Sequence, residues 1–211
     1  LVGGDGGLTL PYGFDSASTT ATSTTIGNYF SAGPGVSGSA GSGYGAHSIE
    51  RPDGKFLVIN ANNTSATTIY DPITNATSTG PTIVGTAANL AEEGSHSIQR
   101  PDGKFLVFLG NTTSIYDPVA NTFVAGPAVV GTAANSVYFG ANSLQRPDGK
   151  FLVFLGNTTS NTSIYDPVAN TFVAGPAVVG TSASLVLVGL SIQRPDGKFL
   201  VILGNGTSDT S

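Results

Sequence analysis

The sequence predicts an all-β fold, a propeller of four-stranded blades, and three observations carry that expectation. The string RPDGKFLV starts at Arg51, Arg100, Arg146 and Arg194, at spacings of 49, 46 and 48 residues. A second string follows at Ile69–Pro81 (IYDPITNATSTGP), Ile115–Pro127 and Ile164–Pro176 (both IYDPVANTFVAGP). No window keeps a 3.6-residue apolar period, and Gly and Pro recur too often for helices of useful length. Several short strands repeated at about 40–50 residues are the pattern of propeller blades.

Each element of one repeat follows from its residues. HSIQ is a short strand. RPDGK is a turn: Pro sets φ at the first corner, Asp tolerates the next, and Gly takes a positive φ. FLVFLG is an apolar run of strand length, expected to be buried on both faces. NTTS reads as a loop and TSIY as the third strand, ended by the DPxxN turn where Pro again fixes the corner. TFVAGP is the fourth strand, closed by Gly-Pro. Residues 100–114 equal 146–160 and 115–132 equal 164–181, with an inserted Asn161-Thr162-Ser163 between the blocks of the later copy. This is the mark of recent tandem duplication inside one chain.

The repeat spans the chain as one domain, 1–211, or as part of a larger one, with a degenerate first copy over 1–50 that ends in NYFSAGP at Pro34. Leu1-Val2-Gly3-Gly4 matches the strand at Leu200–Gly204, so the chain holds about four periods plus one overlapping strand. The missing initial Met and leader suggest a mature or excised piece of a longer precursor. The doubled strand, Leu1 and Val2 at one end and Phe199, Leu200, Val201, Ile202 and Leu203 at the other, is a candidate for strand exchange between copies, because an unpaired apolar strand is an association template.

Composition bounds the function. Of 211 residues, 39% are hydrophobic and only 10% charged, with a net charge of −5 and no Cys, Met or Trp. The chain therefore has no disulfide framework, thiolate metal site or thiol nucleophile. The acidic balance argues against nucleic acid as a partner, and no run of 18 apolar residues exists to span a membrane. Low charge with abundant Thr, Ser, Asn and Gly suits an extracellular or cell-surface protein.

The order H-S-x-x-x-P-D-G-K-x-L-V-x-x-G followed by Y-D-P-x-x-N-x-F-x-x-G-P resembles the kelch repeat, in the form found in secreted bacterial and galactose-oxidase-like propellers. The resemblance covers about residues 28–211 and recurs four times. It departs from kelch at the paired Gly, which is Gly-Asn at Gly110-Asn111, Gly156-Asn157 and Gly204-Asn205, and at the fourth-strand Trp, which is Phe123, Phe172 and, in an earlier copy, Thr77. Kelch propellers usually have six or seven blades. Galactose-oxidase-like catalysis needs a copper site with a Tyr–Cys crosslink; without Cys that activity is not implied, and no cofactor or metal is expected.

Every basic residue lies in an RPDGK motif: Arg51, Lys55, Arg100, Lys104, Arg146, Lys150, Arg194 and Lys198. They share a face with Asp71, Asp117 and Asp166, and are expected to form local ion pairs on solvated turns. The repeated Asp are turn residues rather than a calcium loop. His47 and His96 occupy matching positions and are expected to be structural, bonded to backbone. Glu92 and Glu93 are adjacent and would point opposite ways on an extended segment. Asn62, Asn63, Asn75, Asn111, Asn157, Asn161 and Asn205 head sequons and are candidate glycosylation sites. The connections between repeats differ most, and Val137, Tyr138, Phe139, Leu185, Val186, Leu187 and Val188 make two of them apolar; these are the candidate interface residues.

No catalytic constellation emerges, so the sequence is read as a non-enzymatic secreted or cell-surface protein acting in adhesion or structural self-assembly, with itself or other surface proteins as partner. A lectin-like propeller with one glycan pocket per blade is the alternative. A fragment of a larger kelch-type enzyme is the third reading.

Overall fold

The structure, a computed structural model, describes residues 32–36, 45–60, 64–85, 94–110, 112–130, 137, 141–156, 160–179 and 188–203. The chain divides into two compact units, Leu1–Ala32 and Gly33–Ser211, and every strand named below belongs to the second.

Fourteen strands and no helix are described. Strands β1 (His47–Glu50), β2 (Phe56–Ile59), β3 (Thr67–Asp71) and β4 (Ala76–Thr79) form the first antiparallel meander. Strands β5 (Ser97–Gln99), β6 (Phe105–Leu109), β7 (Thr112–Asp117) and β8 (Thr122–Ala125) form the second. Strands β9 (Asn142–Gln145), β10 (Phe151–Phe154), β11 (Thr162–Asp166) and β12 (Thr171–Ala174) form the third. Strands β13 (Val188–Gln193) and β14 (Phe199–Leu203) make a two-stranded sheet. These are propeller-type blades in the order the repeats predict, and we call them blades 1 to 4.

The RPDGK turn joins the first two strands of every blade in one conformation. The Arg51 carbonyl accepts from Gly54 N at 3.0 Å and Arg51 N donates to Lys55 O at 2.8 Å, and the three later copies repeat both bonds. Gly54, Gly103, Gly149 and Gly197 sit at φ 77, 78, 80 and 78°, the left-handed region the turn demands.

The hydrophobic core lies between blades. Ile49, Leu57 and Ile59 of blade 1 meet Val107, Leu109, Tyr116 and Phe123 of blade 2. Ile98, Leu106, Phe108 and Ile115 of blade 2 meet Phe151, Val153, Leu155, Tyr165 and Phe172 of blade 3. Leu144 and Phe154 of blade 3 meet Val201. Because side chains alternate along a strand, β6 sends Val107 and Leu109 back to blade 1 and Leu106 and Phe108 forward to blade 3. Blade 2 is thus apolar on both faces, as its uninterrupted FLVFL run requires.

One expectation is corrected. NTTS is not wholly a loop: β7 begins at Thr112, one residue before the expected TSIY strand. The three extra residues of blade 3 leave its expected TSIY strand whole, with Thr162 and Ser163 in the places of Thr113 and Ser114. The reason is a fixed hook. The Thr67, Thr113 and Thr162 hydroxyls donate to the carbonyls of Pro81, Pro127 and Pro176 at 2.7, 2.7 and 2.6 Å, so the hook Thr stands at the same distance before Gly-Pro in blades 1 to 3. A Cβ on Gly80, Gly126 or Gly175 would lie 2.3 Å from that hydroxyl, which is why Gly precedes this Pro.

Candidate functional site

The repeat motifs converge at the seams between blades. Arg51 leaves the first corner of its turn and reaches across to blade 2, where Nη1 donates to the Tyr116 hydroxyl at 2.9 Å and to Asn121 Oδ1. Arg100 does the same to blade 3, donating to the Tyr165 hydroxyl at 3.0 Å and to Asn170 Oδ1 at 2.7 Å. The receiving pair is itself joined: Tyr116 donates to Asn121 Oδ1 at 3.0 Å and Tyr165 to Asn170 Oδ1 at 2.9 Å. Asn121 and Asn170 both sit at φ 55°, a left-handed position that Asn tolerates at the end of the DPxxN turn. That conformation lets the amide oxygen meet the Tyr of its own blade and the Arg of the blade before.

The guanidinium is held from behind. Nε and Nη2 of Arg51 donate to the two Asp53 oxygens, both at 3.1 Å, and Arg100 is forked onto Asp102 in the same way. This bidentate geometry needs Arg rather than Lys. The Arg51 pKa is raised: burial works against the cation, but the Asp53 hydrogen bond and the Tyr116 and Asp53 charges outweigh it. Burial pushes the Tyr116 and Tyr165 phenols up, with the neighbouring Arg pulling the other way.

The lysines act within a blade. Lys55, Lys104 and Lys150 pair with Asp71, Asp117 and Asp166 at 3.2, 3.0 and 2.9 Å. The same carboxylates cap their turns, as Asp117 does by accepting from Val119 N and Ala120 N. Backbone donation, then the Lys hydrogen bond, hold all three below the usual carboxylate range. The expected local ion pairs are present; the arginine contact between blades is the part sequence reading missed. Tyr and Asn five residues apart, each time in a chain bearing RPDGK, were the available signal.

His47 and His96 are each tied to backbone, Nδ1 donating to Gly45 O at 3.0 Å and to Gly94 O at 2.9 Å. His96 also stacks on Phe108 at 4.3 Å, and its Nε2 accepts from the Ser143 hydroxyl of blade 3 at 2.7 Å. Burial lowers its pKa to about 4. The pKa of His47 is also lowered by burial, and its Nε2 is buried without a partner. Among the described residues no group of three or more His, Asp or Glu could hold a metal ion.

The candidate interface residues separate. Val137 is not surface: it is fully buried in the second core, and its amide donates to Gly110 O at 3.2 Å. The apolar residue in that connection fills the seam. Tyr138, Phe139, Leu185, Val186 and Leu187 lie outside the described residues, and Val188 opens β13. Leu1 and Val2 also lie outside them. Phe199, Leu200, Val201, Ile202 and Leu203 form β14, paired antiparallel with β13. Of the sequon residues, Asn75 and Asn161 are described and exposed; Asn62, Asn63, Asn111, Asn157 and Asn205 lie outside the described residues.

No family model matches the chain. No curated protein matches it either. Solved structures do. The extracellular domain of a one-component system from B. thetaiotaomicron is 11% identical, with a TM-score of 0.53 over 82% of this chain and 25% of its own. Kuenenia stuttgartiensis hydrazine synthase is 18% identical, with a TM-score of 0.51 over 82% of this chain and 46% of its own. A fungal alcohol oxidase of the AA5 family, in complex with copper, is 18% identical, with a TM-score of 0.47 over 63% of this chain and 30% of its own. The chain thus spans less than half the length of each. At these identities the likeness is one of fold. It corrects the non-enzymatic expectation: hydrazine synthase shares the fold, so the blades do not set this chain apart from enzymes.

Proposed function

We propose that this chain is a module of a secreted or cell-surface protein, built on kelch-like blades, that acts in structural assembly or adhesion. The observation that carries the reading is the use made of the copied residues. The repeated Arg, Tyr and Asn join blade 1 to blade 2 and blade 2 to blade 3, the Lys–Asp pairs and Thr–Pro hooks brace blades 1 to 3, and the two middle copies are almost the same sequence. A chain that lengthens by duplicating such a unit gains surface with each copy. The low charge, the sequons and the likeness to an extracellular domain support an extracellular setting. Light scattering over a concentration series tests the assembly half of the reading: the mass should rise with concentration, and a constant monomer mass would refute self-assembly.

Glycan binding is the second reading, and one observation favours it. Equivalent clefts open at two successive seams. One, of about 410 Å³, is lined by residues that include Glu50, Arg51, Ser97, Gln99 and Phe105. The next, of about 490 Å³, includes Arg100, Gln145 and Phe151. Each is lined by a Phe, the Arg that joins the blades and a Gln whose amide is, among the described residues, the group free to meet a sugar hydroxyl. A glycan array probed with the wild type and with Gln99→Ala/Gln145→Ala separates the readings: signal lost in the variant supports glycan binding, and a blank array for the wild type rejects it.

A further inference from the structure

We propose that blade 1 docks the last hairpin of a second copy of this chain, through the same arginine latch that joins blades within the chain. The proposal rests on the assembly reading and gives it a surface.

Blade 1 carries the receiving half of a seam. Phe56, Val58, Tyr70, Asn75 and Thr77 stand where Phe105, Val107, Tyr116, Asn121 and Phe123 stand in blade 2. There those residues meet the preceding blade; here they line an open groove of about 450 Å³, with Gly33, Pro34 and Val36 on its wall. The receiving pair is already set: Tyr70 donates to Asn75 Oδ1 at 3.1 Å and Asn75 holds φ 51°, as in the closed seams. No guanidinium among the described residues completes it.

The hairpin β13–β14 carries the donating half. Ile192 occupies the place of Ile49 and Ile98, yet it is 45% exposed where they are 2% and 8%. Arg194 occupies the place of Arg51 and Arg100. Its side chain is 57% exposed against 10% and 11%, and among the described residues it meets only Asp196, at 3.3 Å. Each half therefore shows what its counterpart covers inside the chain. Because the two halves lie on different surfaces, their union is heterologous and propagates head to tail. It joins sheet faces and leaves the β14 edge unused, unlike strand exchange.

Mixing complementary variants tests this, made in a host that adds no glycans because Asn75 heads a sequon. Tyr70→Ala/Asn75→Ala removes the receiving half, and Arg194→Ala with Ile192→Ser removes the donating half. In light scattering the wild type should grow with concentration. Each variant alone should associate at least about tenfold more weakly, as loss of a charge-assisted bond predicts. The equimolar mixture should form a 1:1 heterodimer and nothing larger, because one intact half remains on each chain. Circular dichroism checks folding, and Tyr70→Phe and Arg194→Gln, expected to weaken association in the same direction, stand in for a variant that fails it. Variants that assemble like the wild type would overturn the latch while leaving the assembly reading intact. A mixture that stays monomeric overturns it too, and a monomeric wild type overturns both.

Discussion

Blades 1 and 3 are written with the same motifs but hold them differently. In blade 3, Tyr165 is fully buried, tilted against Phe172 at 4.8 Å and clamped by Arg100. In blade 1, the equivalent Tyr70 is half-buried, bonded among the described residues to Asn75, and faces Thr77 where blade 3 has Phe172. The turns and the Asn conformation are the same. A repeat thus fixes its own strands and turns locally, while the value of its Tyr depends on whether another blade covers it.

The largest test of that contrast is truncation of the two tyrosines. Tyr165→Ala removes a fully buried ring from a seam and should cost about 3–5 kcal/mol. Tyr70→Ala should cost less than about 1 kcal/mol in the monomer. Urea denaturation midpoints at a common m-value give both, and equal losses would erase the distinction between covered and open seams.

Acid separates the seams next. His96 titrates at about 4 when folded, against an ordinary 6.5. Between those values the unfolded chain binds more protons, so stability falls as pH drops from 6.5 to 4, by about 3 kcal/mol in all. The carboxylates held below their usual range add their loss only at lower pH. His96→Asn, the residue found at the same place in blade 3, should flatten much of the slope. A wild-type stability unchanged from pH 6.5 to 4.5 would contradict the burial of this ring.

Glycine gives a smaller contrast. Gly175 and Gly33 both precede a Pro, but a Cβ on Gly175 would meet Thr162 Oγ1 at 2.3 Å, whereas Gly33 has nothing within 4 Å. Gly175→Ala should cost about 1–3 kcal/mol by overpacking, and Gly33→Ala less than about 0.5 kcal/mol. Thermal melts of the two variants rank them. The smallest effect belongs to Val168, 87% exposed on its turn: Val168→Ser should leave the melting temperature unchanged.

The fold was legible because its signals are local. Pro, Asp and Gly in RPDGK specify a hairpin turn by their own φ preferences, and FLVFL can only be a strand apolar on both faces. The latch was not legible because Arg100 meets residues 65 and 70 positions away. Read within one repeat, Arg100 and Asn170 are merely turn residues. Thr112 was misread because NTTS has loop composition, while the Thr–Pro hook that sets the strand start spans the whole hairpin. Val137 was misread because a variable, apolar connection looks like a surface until the seam beneath it is known.

The central claim is that Arg of one blade is energetically coupled to the Tyr–Asn pair of the next. A double-mutant cycle on Arg100→Ala and Asn170→Ala, measured by equilibrium denaturation, tests it most directly. The account predicts a coupling of about 1–3 kcal/mol for this pair, and additivity for the control pair Arg194→Ala and Asn170→Ala under dilute, monomeric conditions. Additivity of Arg100 and Asn170 to within about 0.5 kcal/mol would contradict it.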